Sequence, residues 1–270
     1  MKTALITGTS RGIGRDLALT LAGRGWDVVG TLRSDEGRAE LEAAGVDVVT
    51  VDVTDRASVE AAVFHTVTHH GSLDLLVANA GVGLFGCFED VDPEQIRRVF
   101  EVNFFGVLAC TRAALPHLRA SAGRIVVISS IAGRRSAPGS SAYNASKFAV
   151  EGWAEGLRHE LAETGVGLTL VQPGPIATGF FEQRVAGPRS GRGTYAAITQ
   201  RVRELQDQAL QKAAPPSTVT RVVLDVLDEK HPPPFRVAVG GGTAAQLTVV
   251  KLLPWMLWEK LVAWRIGVGS

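Results

Sequence analysis

Tyr143 and Lys147 stand four residues apart in Ser141-Ala-Tyr-Asn-Ala-Ser-Lys147, a little beyond an apolar run that ends in Ser129-Ser130. Four residues is about one helical turn, so a phenol and an ammonium would share one helix face. A free tyrosine ionises near pH ~10, too reluctantly to serve as a base at neutral pH. A lysine charge about 4 Å away, in an effective dielectric of about 20, favours phenolate by about 4 kcal/mol, or roughly three pKa units before solvent screening. Such a pair could give and take a proton. The same spacing also occurs in ordinary surface and packing pairs, so its company decides.

That company begins at the first residues. The strand-like run Thr3–Thr7 leads into Gly8-Thr-Ser-Arg-Gly12-Ile-Gly14 and then a helical pattern from Arg15 to Gly25. Glycines so placed let the backbone turn tightly and approach a pyrophosphate, whose charge a helix N-terminus favours. The spacing is Gly-x-x-x-Gly-x-Gly, not the commoner Gly-x-Gly-x-x-Gly, so the general dinucleotide fingerprint does not cover it. Ala78-Asn-Ala-Gly81 follows the run 73–77, and Asp52-Val53 follows the run that ends at Val51. Ligands of open parallel sheets lie beyond the carboxyl ends of the strands, so these ends could line one crevice. Asn103 sits in the apolar helical stretch Val102-Asn-Phe-Phe-Gly106, where a buried amide needs partners. It is either a satisfied asparagine that kinks a helix or part of a catalytic scaffold.

Taken in order, Thr7-Gly-x-x-x-Gly-x-Gly14, Asn79-Ala-Gly81, Asn103, Ser130, Tyr143-x-x-x-Lys147 and Pro173-Gly-Pro-Ile-Ala-Thr178 resemble the short-chain dehydrogenase/reductase family. The likeness spans roughly the first two thirds of the chain, with Ala78 where the family has the first asparagine of its Asn-Asn-Ala-Gly motif. The resemblance implies that Tyr143 is the general acid/base. It implies that Lys147 holds the nicotinamide ribose and lowers the tyrosine pKa, that Ser130 hydrogen-bonds the substrate oxygen, and that Asn103 holds a water in a relay to Lys147. The family's serine precedes its tyrosine by thirteen residues, which selects Ser130 over Ser129. Strand alternation also lets only one of the two serines face the site. Carbonyl reduction then needs hydride from the cofactor, a proton from Tyr143 and donors for the developing alkoxide.

The implied cofactor-binding set is Gly8, Ser10, Arg11, Gly12, Ile13, Gly14, Arg33, Asp52, Val53, Asn79, Ala80, Gly81, Tyr143, Lys147, Pro173, Gly174, Ile176 and Thr178. Of these, Pro173, Gly174, Ile176 and Thr178 would meet the nicotinamide carboxamide and fix the ring face, giving pro-S transfer as in the family. Enzymes that prefer NAD end the second strand with an acid for the ribose hydroxyls. Here Leu32 and then Arg33 occupy that place, and Arg11 lies in the glycine loop. Two guanidinium groups suit a 2′-phosphate, so NADP(H) is expected over NAD(H). Asp35 and Glu36 come too late for the ribose and should begin the next helix.

Strand-like runs at 3–7, 27–31, 46–51, 73–77, 124–129, 166–171 and 235–239 alternate with helical segments across 270 residues. Several are continuously apolar, as parallel strands covered on both faces must be. The expected fold is α/β: a single-domain Rossmann fold over residues 1–270, with a doubly wound parallel sheet of about seven strands and helices on both faces. A net charge of +1 gives no general pull toward nucleic acid. Cys87 and Cys110 form no metal-ligand cluster, and two cysteines in such a chain fit a reducing cytoplasm. His65, His69 and His70 lack a third ligand in their segment and read as a solvated helix end, and Arg134-Arg135 as a solvated loop. No metal is expected. Met1 enters the first strand at once, which leaves no room for a signal peptide.

Residues 179–214 should form a substrate lid, with Leu84, Phe85, Phe180 and Phe181 lining an apolar pocket or packing the lid. The apolar extension 243–270 is interrupted by charges and Pro254, so it should not span a membrane. It could pack on the body, join subunits, or rest on a membrane surface or lid the pocket. The extension and Tyr-Asn-Ala-Ser-Lys-Phe-Ala-Val-Glu-Gly152 resemble the hydroxysteroid and retinol dehydrogenase branch. Similar proteins pair through helices matching residues 103–118 and 143–163, so a homodimer or homotetramer is expected. The reading is an NADP(H)-dependent oxidoreductase that interconverts a carbonyl and a secondary alcohol on a bulky apolar small molecule, steroid-, retinoid- or polyketide-like or long-chain. Its alternatives are a ketoreductase of a biosynthetic intermediate and, in another class, a non-catalytic NADP(H)-sensing binding protein.

Overall fold

Strands β1 Thr3–Thr7, β2 Asp27–Leu32, β3 Asp47–Thr50, β4 Leu75–Ala78, β6 Arg124–Ile128, β7 Gly167–Pro173 and β9 Arg236–Val239 form one seven-stranded sheet in a computed structural model. Their order is β3-β2-β1-β4-β6-β7-β9 and every pairing is parallel. Two short strands, β5 Leu84–Phe85 and β8 Val185–Ala186, pair apart from it. The structure describes residues 1–180, 185–189, 191–228 and 234–267.

Alternation along each strand divides the core in two. Leu5, Val29, Leu76, Val127 and Leu170 face one layer, while Ala4, Ile6, Val28, Val77, Val126 and Val171 face the other. Helices α3 Arg56–His70, α5 Gly106–Ser121 and α6 Ser141–Glu160 cover the first through Val63, Ala114 and Ala154. Helices α1 Gly12–Gly23 and α8 Pro216–Asp228 cover the second through Leu17, Leu21, Val219 and Val223. The chain moves outward from β1 in one direction to β2 and β3, then returns to its other side at β4. That reversal opens a crevice at the carboxyl ends of β1 and β4, where such sheets bind ligands.

Several boundaries differ from expectation. The strand runs expected at 46–51, 73–77 and 166–171 become Asp47–Thr50, Leu75–Ala78 and Gly167–Pro173, and α1 begins at Gly12. Asp35 and Glu36 do not start a helix. They lie in the turn before α2 Arg38–Ala43, where Asp35 accepts from Arg38 at 2.8 Å and Glu36 pairs with Arg11 at 3.3 Å. The histidine segment is not merely solvated, because His65 and His70 of α3 both bond one oxygen of Asp47, at 2.7 and 3.0 Å. Arg135 likewise reaches Gln246 at 3.3 Å.

Helix α4 Pro93–Phe100 continues through a π turn, Glu101–Phe105, into α5. The whole run Pro93–Ser121 is long and apolar enough to cross a membrane by length and composition. Here its residues Val107, Cys110, Ala114 and Leu118 are buried in the core. The C-terminal extension forms α9 Thr243–Leu252 and α10 Trp255–Ile266. Val262 and Ile266 pack on Phe85 and on Val202 of α7 Ala196–Leu210. Leu252, Met256, Leu257, Leu261 and Trp264 remain exposed.

Candidate active site

Tyr143 and Lys147 occupy the first two turns of α6, whose start is anchored by Asn144. The Asn144 amide donates to Ser136 Oγ at 2.9 Å and to the Ala137 carbonyl at 3.0 Å, which pins the loop ahead of the helix. Ser130, just past β6, accepts from the Ala132 N–H at 3.1 Å and opens a short helical turn, Ile131–Gly133. Its hydroxyl lies beside the Tyr143 phenol and favours the phenolate. Ser129 points the other way and donates to Glu151 at 2.7 Å, so alternation does separate the two serines.

Desolvation pushes the Tyr143 phenol up to about 12, and the neighbouring Ser130 hydroxyl only partly offsets it. Desolvation thus acts on the phenol opposite to the lowering expected from Lys147. The Lys147 ammonium is buried and donates to the Ile128 carbonyl at 3.1 Å. Burial pushes the lysine itself down to about 8, against the opposing charge of Glu151. Desolvation therefore outweighs the charge pairing inferred from spacing alone.

Asn103 lies in the π turn and is fully buried. Its Oδ1 accepts from the Val82 N–H at 2.8 Å, and its Nδ2 donates to the Val82 carbonyl at 3.0 Å and to Ser146 Oγ at 3.1 Å. Both amide hydrogens are held by the protein. The side chain braces the turn after β4 against α6. A Cβ added at Gly81 would stand 3.3 Å from Asn103 Oδ1 and 3.9 Å from Lys147 Nζ, so the Asn-Ala-Gly turn reaches the same place.

The glycine loop fits a dinucleotide. Gly8 and Gly12 have φ of +72° and +58°, and a Cβ at Gly12 would approach Thr178 Cβ to 2.8 Å. A Cβ at Gly14 would collide with the Gly8 carbonyl and stand 2.5 Å from Asn79 Nδ2. Asn79 Nδ2 donates to the carbonyls of Thr7 (2.8 Å) and Gly8 (2.9 Å), while Thr7 Oγ1 accepts the N–H groups of Asn79 and Ala80, each at 3.0 Å. The first turn of α1, with Arg11 at its N-cap and Ile13 within it, has no side-chain cap and no acid. Its N–H groups and positive dipole end are suited to a pyrophosphate. Ser10 closes the loop against Gly37, whose added Cβ would lie 2.8 Å from the Ser10 carbonyl.

The remaining expected cofactor residues ring this cradle. Arg33 is exposed beyond β2, while Leu32 is buried. Asp52 Oδ1 accepts from the N–H (2.9 Å) and hydroxyl (2.7 Å) of Thr54. Burial opposes ionisation of Asp52, but those bonds, with Arg98 and Arg33 nearby, hold it below the usual carboxylate range. Val53 packs against Gly106. Pro173 ends β7, the Gly174 N–H donates to Val239 at 2.8 Å, and Ile176 bridges to Ala214.

On the substrate side, the Phe180 ring lies 5.8 Å from that of Tyr143. Leu84 and Phe85 do not line an open pocket. Leu84 packs on Val91 and Val99, and Phe85 lies under Val202 and Ile266 with 1% exposure. Phe181 lies outside the described residues. Thr7, Ser146, Asn144 and Glu151 support the site without belonging to the motif residues read as functional. Glu151, four residues after Lys147, is open to the same spacing argument as Tyr143.

Residues 2–188 match the family model for short chain dehydrogenases. Among curated relatives, a 3-ketodihydrosphingosine reductase of Bacteroides thetaiotaomicron is 34% identical over 93% of this chain and 92% of its own. The 17-beta-hydroxysteroid dehydrogenase type 1 of Mus musculus is 35% identical over 84% and 71%. A short-chain dehydrogenase from Streptomyces avermitilis superposes with a TM-score of 0.82 at 33% identity, covering 96% of both chains. Two further solved structures carry cofactors. An alcohol dehydrogenase from Thermococcus sibiricus, complexed with 5-hydroxy-NADP, has a TM-score of 0.74 at 25% identity over 89% of this chain and 96% of its own. A short-chain dehydrogenase/reductase from Burkholderia phymatum in complex with NAD has a TM-score of 0.79 at 30% identity over 93% and 92%. The chain belongs to the short-chain dehydrogenase family, and is an oxidoreductase of alcohol and keto groups that binds a nicotinamide cofactor.

Proposed function

We propose that this protein is an NADP(H)-dependent ketone reductase for a bulky apolar substrate, with Tyr143 as the proton donor. The carrying observation is the placement of Ser130 beside a phenol that desolvation keeps protonated at neutral pH, one turn from Lys147. A bound nicotinamide cofactor supplies or accepts the hydride. Ser130 orients the substrate oxygen and shares its developing negative charge, and Tyr143 delivers the proton as the carbon is reduced. Lys147 would hold the nicotinamide ribose, and Asn103 fixes the turn that places Gly81 beside the lysine.

Preference for NADP(H) is supported by Arg33 and Arg11 beside a β2 end that carries no acid. Arg11 is tied to Glu36 by a surface pair at 3.3 Å, a weak contact that a 2′-phosphate can displace. An apolar substrate is supported by Phe180 against Tyr143, and by the sphingoid and steroid names of the two curated relatives. A panel of long-chain, steroid and small ketones followed at the NADPH absorbance band tests the proposal. Turnover of the bulky ketones with NADPH is expected. Turnover confined to small polar ketones, or equal efficiency with NADH, contradicts it.

A further inference from the structure

Glu151 lies one helical turn beyond Lys147 on α6 and is 3% exposed. Its Oε1 accepts from Ser129 Oγ at 2.7 Å and from Gln172 Nε2 at 2.8 Å, and its Oε2 accepts from Arg236 Nε at 2.8 Å. These donors come from the end of β6, from β7 and from β9, so one carboxylate fastens three strands to the helix that carries Tyr143 and Lys147. A Cβ at Gly133 would approach both Glu151 Cγ and the Lys147 carbonyl to 2.8 Å. The turn begun by Ser130 is thus seated on α6 between the lysine and the glutamate.

A buried ammonium sheds its proton unless an opposite charge faces it. Lys147 has the Ile128 carbonyl as its hydrogen-bond partner, with Tyr143 one turn before it and Asn103 reaching in from the π turn. Around Glu151, Ser129 and Gln172 are neutral and Arg236 is cationic. Arg236 is shared at 2.6 Å with the exposed Glu155, which Arg134 also approaches. Glu151 is therefore the buried negative charge nearest to Lys147 along the helix, and Arg236 partly neutralises it.

Building on the reading of Tyr143 and Lys147 as the catalytic pair, we propose that Glu151 is a positioning residue that keeps Lys147 an ammonium, with Arg236 setting how much of its charge Lys147 feels. The two side chains should act with opposite sign. Removing the carboxylate as Glu151→Gln should lower the Lys147 pKa by about one to two units, as expected for a charge about one turn away in a medium of dielectric about 20. Removing the cation as Arg236→Gln should raise it. A residue needed only for packing would not move the lysine in opposite directions.

The test is a 13C NMR titration of Lys147 Cε in the free protein, assigned with Lys147→Met, beside pH profiles of NADPH-dependent reduction. Opposite shifts in the two variants, mirrored in the alkaline limb of the rate profile, support the proposal. No shift, or shifts of the same sign, overturns it. If Glu151→Gln fails to fold, Arg236→Gln decides alone: an upward shift supports the assignment, and an unchanged or lowered value rejects it. The titration needs no turnover, so a wild type that reduced no ketone would sink the proposed activity while the lysine shifts still decided the role of Glu151.

Discussion

Ser130 lies beside the hydroxyl of Tyr143, and desolvation pushes that phenol up to about 12. That contact joins the end of β6 to the start of α6, and desolvation leaves Tyr143 an acid at neutral pH. Truncation as Ser130→Ala removes the donor for the substrate oxygen. Its kcat for ketone reduction should fall by about 10²–10³, as for loss of one oxyanion donor. Cofactor affinity should hold within a factor of about two, measured by NADPH fluorescence. An unchanged kcat would release Ser130 from its role.

The pH dependence follows from Lys147. Its folded value is pushed down to about 8, so the ammonium prevails below that pH and is lost above it. Tyr143 remains protonated throughout this range. The kcat/KM for reduction should be level near pH ~6–7 and decline as pH rises through about 8. A profile flat to pH ~10 would show that the lysine charge is not needed.

The proposed preference for NADP(H) is tested at Arg33, which stands exposed just past the buried Leu32. Replacing it by alanine removes a charge-assisted contact to the 2′-phosphate worth about 1.5–3 kcal/mol. NADPH affinity should weaken by about 10–100-fold while NADH affinity stays level, as read by calorimetry. Equal losses for both would place Arg33 away from the phosphate.

Gly14 has no room for a side chain, because a Cβ would meet the Gly8 carbonyl and the Asn79 amide. Gly14→Ala should cost about 1–3 kcal/mol of stability through overpacking. It should also abolish cofactor binding, because the loop must shift. A variant that melts like wild type and still binds NADPH would contradict this close fit.

The sheet is legible in the sequence because parallel strands covered on both faces leave apolar runs such as Ala4-Leu5-Ile6, and glycine spacing marks the loop that must bend. Motif residues distant in sequence meet, Gly12 against Thr178 and Gly81 near Lys147. The two-residue pairing of β5 with β8 is not legible, since two residues carry no period. Burial of Leu84 and Phe85 depends on packing partners distant in sequence, among them α7 and α10 over Phe85. The balance at Tyr143 escapes a spacing argument for a similar reason: spacing shows which charges are near, whereas desolvation depends on everything packed around them.

The central claim is that one phenol donates the proton to a substrate ketone. Tyr143→Phe keeps the ring beside Phe180 and deletes only the hydroxyl. Measured by NADPH absorbance in single turnover, its reduction rate should drop by about 10²–10⁴ with NADPH still bound. A variant that turns over at the wild-type rate would contradict the account.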